Sequence, residues 1–575
     1  MQKTDISVGK LVQMIEDGEL RLPEMQRRYV WPATRVRDLL DSLYRGYPTG
    51  SILVWESSQD TPTREMAVNQ KKSPFSAHKL LLDGQQRLTS LTSTMRGQPV
   101  TVRGRKRPIE ILFNLEHPEG APAEVTEVEG DEAALILSAE SDPDPELDEE
   151  QENTAVPLAE RLAKRTFVVA SQSLLAIPTW VKVSDIFNEA KRDWDLLKPL
   201  GVIPDDPRWE KYTKRLALVR KIRDYPYVMQ VLDGSLSYEE VAEIFVRVNS
   251  LGAKLRGSDL ALAEITARWR NSLDLLEQFV EECEDQSRFT IDTGLLVRAM
   301  VVFATGQCRF KVVSSIDVPS LQKAWEEAKA GIRFALDFLK SNAGIEDESL
   351  LSSPFLILLP AYFGHIRKER LSDEEEKDLL RWLFIAHARG HYSRGSSEGL
   401  LDADLTLVKS SAAPRRLIQL LEQQFGRLTV SGSDFQGRGI QSPLFSMAYL
   451  ALKKGDAKDW WNGLALSLSH QGRSHFIQYH HIFPKSRLQK QDYEKAEINE
   501  IANMAFISAK VNRTISNKPP AEYFPAIIKE RGEPALAAHL IPTDPSLWRL
   551  ENYRQFLERR REMLAEAVNA LLASA

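Results

Sequence analysis

Residues 479–518 hold a set of side chains suited to breaking a phosphodiester: adjacent His480 and His481 in Tyr-His-His-Ile-Phe-Pro, then Asn503, then Asn512, Asn517 and Lys518. That reaction needs an activated water, a cation to take the charge that develops on the phosphate and the leaving oxygen, and little else. If Gln478–Ile482 is a strand, neighbouring side chains face opposite sides, so the two histidines can divide the work. His481 then takes the proton from water and His480 binds the metal; a neutral imidazole with a pKa near pH 6.5 suits the first task. Asn503 is placed to fix the tautomer of a histidine from behind. Asn512, on a helix after a second short strand over Met504–Ile507, supplies the opposing ligand. A histidine pair alone is more often a coincidence of core or surface, and asparagines near turns are usually caps.

A second stretch, His-Lys-Leu-Leu-Leu-Asp-Gly-Gln-Gln-Arg-Leu at residues 78–88, reads as a strand over Leu80–Leu82, a tight turn at Asp83-Gly84 and a helix opening near Gln85. Free N–H groups and the positive end of a helix dipole meet at such a turn, where a phosphate can sit. Asp83 is placed to hold a metal or water, and Gln85, Gln86 and Arg87 to contact phosphates or ribose. The same pattern is also an ordinary turn with an ordinary cap, and it is not a Walker loop.

Other elements must position these residues. Val36, Leu39, Leu40 and Leu43 recur at helical spacing after Gln26, Arg27, Arg28, Tyr29 and Trp31, with Thr34 as N-cap and Gly46 and Pro48 as the stop before a strand over Ser51–Trp55. From Ala261 to about Gly426 the apolar spacing is helical almost throughout. There His387 and His391, with Arg389 and Arg394, form either a metal-binding pair or, as the favoured reading, a polar helix end leading into a loop beside DNA. A terminal helix over Trp548–Leu572 carries Arg559, Arg560 and Arg561 in a run.

Composition sets broad limits. A chain of 575 residues, 43% hydrophobic and 27% charged, is of ordinary globular type with room for three or four domains. Two cysteines exclude a disulfide framework or a cysteine zinc cluster. No apolar run reaches a membrane span and the N-terminus lacks a signal peptide's apolar core, so a cytoplasmic location is expected. The net charge of −6 is unevenly placed: no Lys or Arg lies between Arg107 and Arg161, and acids crowd residues 142–152. Without that insert, at about 117–160, the balance turns positive, so whole-chain charge says little about DNA binding.

His-His-Ile-x-Pro, Ile-Ala-Asn-Met-Ala-Phe-Ile and Asn-x-x-x-x-Asn-Lys together resemble the C-terminal HNH domain of the GmrSD-type, modification-dependent type IV restriction enzymes. Leu-Leu-Asp-Gly-Gln-Gln-Arg-Leu-Thr-Ser-Leu, with Pro-Glu-Met-Gln-Arg-Arg-Tyr-Val-Trp-Pro upstream and Ile-Phe-Val-Arg-Val-Asn-Ser-Leu-Gly at 244–252, resembles their DGQQR domain. The second of these loops departs from the family at Leu251 and Lys254. The resemblance implies an α+β multidomain protein: residues 1–270 a ParB/sulfiredoxin-like sensor, 271–426 a helical connector, and 427–575 a ββα-metal (HNH) nuclease.

It further implies a nucleoside triphosphate (ATP, GTP, CTP or UTP) at Asp83, Gly84, Gln85, Gln86, Arg87, Gln26, Arg27, Arg247 and Asn249. The nuclease would use His480, His481, Asn503, Asn512 and Lys518 with a divalent ion (Mg²⁺, Mn²⁺, Ni²⁺ or Co²⁺) at His480 and Asn512. Its partner would be modified double-stranded DNA, acted on by a soluble protein that can form a homodimer. The rivals are a phosphorothioate-sensing nicking nuclease and a non-catalytic ParB-like DNA-binding regulator.

Overall fold

A computed structural model describes residues 2–26, 29, 31–57, 63–64, 66–71, 78–102, 105–119, 162–251, 257–393, 395–409, 413–460, 466, 479–507, 515 and 517–573. The acidic insert from residue 120 on, Arg27, Arg28, Arg394, Asn512 and the Asn249 side chain lie outside this set. The chain divides into two compact units, 1–275 and 276–575.

Unit 1 is organised by a mixed sheet of β1 (Gln2–Ser7), β2 (Leu20–Pro23), β3 (Ile52–Ser57), β4 (Thr63–Arg64), β5 (His78–Asp83) and β6 (Pro226–Leu232). Their order is β1-β6-β3-β5-β2-β4, with β6 parallel to β3 and β2 parallel to β5. Alternation along β3 and β5 sends side chains to two cores. Ile52, Val54 and Leu81 pack with α1 (Val8–Glu16), α2 (Ala33–Tyr44) and α3 (Gln85–Arg96), through Leu11, Leu40, Leu88 and Leu91. Leu53, Trp55, Leu80 and Leu82 pack on the other face with Tyr238, Val241 and Phe245 of α4 (Tyr238–Leu251).

Helix α2 has all four expected apolar residues buried, but Thr34 is not its cap. Pro32 occupies the cap with extended backbone at φ −71° and no side-chain hydrogen bond, which moves Thr34 inside the helix. Glycine is required at Gly84: φ is +102°, and a Cβ there would lie 2.5 Å from Ile52 Cδ1.

Unit 2 is a stack of helices with a small hairpin. It holds α5 (Asp373–Ala388), α6 (Pro443–Lys454), α7 (Pro520–Arg531) and α8 (Tyr553–Ala573). The expected connector and nuclease segments share this unit. Across the expected boundary at 426/427, Arg389 donates to Arg427 O at 3.1 Å and to Thr429 O, and Lys453 pairs with Glu346 at 2.8 Å.

The reading of His387 and His391 as a polar helix end beside DNA is corrected: both are buried, at 0% and 1% exposure. His387 Nδ1 is 2.9 Å from Ser352 Oγ, and the Asp404 carboxylate meets His391 Nε2 at 2.9 Å and Tyr392 Oη at 2.6 Å. Apolar neighbours at the end of α5 pull the two rings inward, and a polar partner for each makes that burial tolerable.

Candidate functional site

The hairpin in unit 2 consists of β7 (His480–His481) and β8 (Met504–Ala505), antiparallel, with His480 opposite Ala505 and His481 opposite Met504. Each strand is shorter than expected. Ile482 N–H continues the ladder to Asn503 O at 2.8 Å.

The two histidine rings have different surroundings. His480, 3% exposed, meets Tyr523 of α7 edge-on at a centroid separation of 6.1 Å. His481 meets the Tyr479 ring at 5.9 Å, and its Nε2 lies 3.1 Å from Asn499 Oδ1. Tyr523 donates to Ile482 O at 3.0 Å, pinning the strand just past the pair. Complete burial raises the Tyr523 hydroxyl well above its usual pKa, so it stays a donor.

Asn503 is not the amide that meets a histidine. It is fully buried, and its Oδ1 accepts from Phe483 N–H at 2.9 Å, while Nδ2 donates to Phe483 O at 3.2 Å and Ile498 O at 3.0 Å. A carboxamide offering two donors and an acceptor among unpaired backbone groups is used to close the hairpin. Asn499, which the motif reading passed over, takes the ring position. Its only sequence signal is an asparagine just past a short helix, which usually reads as a cap.

The terminal helix holds the hairpin from behind. Arg560 is completely buried and donates to Ala502 O at 2.9 Å, His539 O at 3.2 Å and Leu540 O at 3.2 Å. Burial pulls its pKa down to about 9, still above neutrality, so the charge persists among carbonyl dipoles. Arg561 grips the buried Glu500 carboxylate through two bonds of 2.5 and 2.8 Å, and Glu500 also accepts from Gly437 N–H at 2.9 Å. Only Arg559 of the run faces outward, paired with Glu562. The polar end of the motif returns to the helix after the histidines: Ser486 donates to Asn517 Oδ1 at 2.8 Å and Arg487 to Asn517 O at 3.0 Å, with Lys518 exposed beside them.

Of the proposed metal donors the structure describes His480 alone. Among the described residues no three His, Cys, Asp or Glu side chains gather into a metal site. The described residues therefore do not by themselves complete a cation site.

At the turn in unit 1 the polar side chains point inward. Arg87 donates to Thr49 O at 2.5 Å, Ser51 O at 2.9 Å and Asp83 Oδ2 at 3.0 Å, and lies over the Tyr227 ring at 5.9 Å. Gly50 makes room for it: φ is +95°, and a Cβ would lie 2.4 Å from Arg87 Nη1. Gln26 Nε2 donates to Leu82 O at 2.6 Å and Leu81 O at 3.2 Å, and Gln86 Oε1 accepts from Trp31 N–H at 3.2 Å. Gln85 is buried, whereas Arg247 is 73% exposed and paired with Glu243 one helical turn away. As placed, Gln26, Gln86 and Arg87 brace the sheet to its loops. A surface cleft of about 400 Å³ lies instead at the far end of α3, lined by Gln13, Glu16, Lys71, Arg96, Glu189 and Arg223 among others. Its charges are already matched as Arg96–Glu16, Lys71–Asp17 and Arg223–Glu189.

Comparison with known proteins adds two findings. Residues 8–266 match the family described as the GmrSD restriction endonuclease N-terminal domain. Uncharacterized protein MJ0686 of Methanocaldococcus jannaschii is 23% identical over 624 aligned positions, which cover 98% of each chain. No helix among the described residues is long and apolar enough to cross a membrane.

Proposed function

We propose that this chain is a type IV restriction endonuclease that cuts modified foreign DNA, such as DNA with hydroxymethylated or glucosylated cytosine. The observation that carries the reading is the β7–β8 hairpin, in which adjacent histidines have separate surroundings and His481 has an amide on its ring, in a chain whose N-terminal part matches the GmrSD N-terminal domain.

In this reading His481 takes the proton from the attacking water and Asn503 keeps the hairpin closed, while Tyr523 and Arg560 hold its two strands. His480 with Asn512 would bind a divalent ion, Mg²⁺, Mn²⁺, Ni²⁺ or Co²⁺, which when bound takes charge from the phosphate. Lys518, with Lys485 on the adjoining short helix and Lys490 at its C-terminal end, would meet the DNA backbone.

Nucleotide use at Asp83–Arg87 belongs to the same reading. If a phosphate takes the Arg87 guanidinium from Thr49 and Ser51, ligand binding there would loosen the 47–51 loop. The test challenges purified protein with otherwise identical DNA that is unmodified, hydroxymethylated, glucosylated or phosphorothioated, with and without nucleotide. Cleavage confined to modified cytosine supports the reading. Preference set by phosphorothioate moves the chain to the nicking class, and binding without cleavage makes it a regulator.

A further inference from the structure

We propose that Asn499 is the positioning residue that fixes the tautomer of His481. As it concerns catalysis, this rests on the nuclease reading above; as it concerns the ring, it rests on geometry alone.

Asn499 Oδ1 lies 3.1 Å from His481 Nε2. A carboxamide oxygen only accepts, so the contact is a hydrogen bond when Nε2 carries the proton. The lone pair of the neutral ring is then on Nδ1, the atom that takes a proton from water. In the other tautomer Nδ1 carries a hydrogen and Nε2 points its lone pair at an oxygen. A neutral imidazole in solution populates both forms, so a fixed acceptor on one nitrogen selects the working one.

The selection is only as good as the acceptor's own placement, and Asn499 is held from several directions. Its N–H donates to Lys495 O at 3.1 Å. On one side of it Ile498 O accepts the Asn503 amide at 3.0 Å; on the other, Glu500 is clamped by Arg561 and by Gly437 N–H. Two residues on, Ile501 N–H donates to Arg438 O at 2.8 Å. Gly439 allows that loop to come close, since a Cβ there would lie 3.0 Å from Asn499 O. The terminal helix, the 437–439 loop and the hairpin thus all fix the backbone that carries one amide. Asn503 cannot serve in its place because its amide is spent on Phe483 and Ile498.

The test uses the full chain with ¹⁵N-labelled histidine and long-range proton–nitrogen spectra, which distinguish the two tautomers. The His481 signal is identified by its loss in His481→Gln. The expected result is His481 protonated at Nε2 in the wild type, a mixture in Asn499→Leu, and recovery of the Nε2-protonated form in Asn499→Asp, which keeps an acceptor in the same place. In cleavage assays Asn499→Leu should lower kcat by about 10- to 100-fold with the KM for DNA unchanged, and Asn499→Asp should recover most of that loss.

Wild-type His481 protonated at Nδ1, or a tautomer indifferent to Asn499→Leu, overturns the proposal. If Asn499→Leu fails to fold, the wild-type and Asn499→Asp spectra still decide it. Cleavage undiminished in His481→Ala removes the nuclease reading but leaves the tautomer result standing, so the two failures are separable.

Discussion

At the scale of single residues, a polar side chain in a chemically suggestive motif can serve either a ligand or the backbone, and the two sites divide on this point. Arg87 was the phosphate ligand by motif, yet its guanidinium is spent on Thr49, Ser51 and Asp83. Removing it strands two carbonyls and a carboxylate that is only partly exposed. Arg87→Ala should therefore lower unfolding stability by about 2–4 kcal/mol, read from denaturant midpoints, and Arg87→Lys should recover only part because an ammonium cannot span the same fork. An unchanged midpoint together with lost nucleotide binding would instead make Arg87 a ligand.

Two buried histidines carry a pH prediction. Burial lowers His387 and His539 to a pKa of about 4, well below the ordinary 6.5. The unfolded chain takes up their protons first, so the stability each contributes is complete above about pH 6.5 and is lost as pH falls toward 4. At about 1.4 kcal/mol per pKa unit, the loss approaches 3 kcal/mol for each ring. Thermal melts of the protein should fall steeply over that window, and the double variant His387→Gln/His539→Gln should flatten the slope.

At the scale of elements, apolar spacing was readable and polar partnership was not. The strand at Leu80–Leu82 and the helix opening at Gln85 stand where the sequence pattern places them: Leu81 enters one core and Leu80 and Leu82 the other, while Leu88 and Leu91 pack against the sheet. Misreadings occur where a backbone group chooses its partner: Pro32 displaces Thr34 at a cap, and Asn499 displaces Asn503 on a ring. In the arginine run of α8, Arg560 and Arg561 hold the hairpin from inside. Arg560→Met should leave three carbonyls without donors and destabilise the protein by several kcal/mol, about 3–5 on the scale of a broken buried charged group. Arg559→Met, on the outer face, should cost under about 0.5 kcal/mol. Equal small effects from both would show that α8 is not the hairpin's support.

At the scale of the whole molecule, the change of motif near residue 427 marks chemistry, whereas a fold is divided by packing. Residues 276–575 form one compact unit, with Arg389 bonded to Arg427 and Thr429 across the expected boundary. A fragment of 427–575 should expose the face that packs on α5 and lack a cooperative melt, whereas 276–575 should unfold in a single transition seen by calorimetry. The residues that match the GmrSD N-terminal domain, 8–266, lie within unit 1. In the proposed function cleavage falls to the hairpin in unit 2, with His481 taking the proton. The direct measurement is the single-turnover cleavage rate of hydroxymethylated DNA by wild type and His481→Ala, with folding of the variant checked by its melt. A loss of about a hundred- to ten-thousand-fold is predicted; a variant that cuts within about threefold of wild type, far short of a general base's share, would place the active site elsewhere.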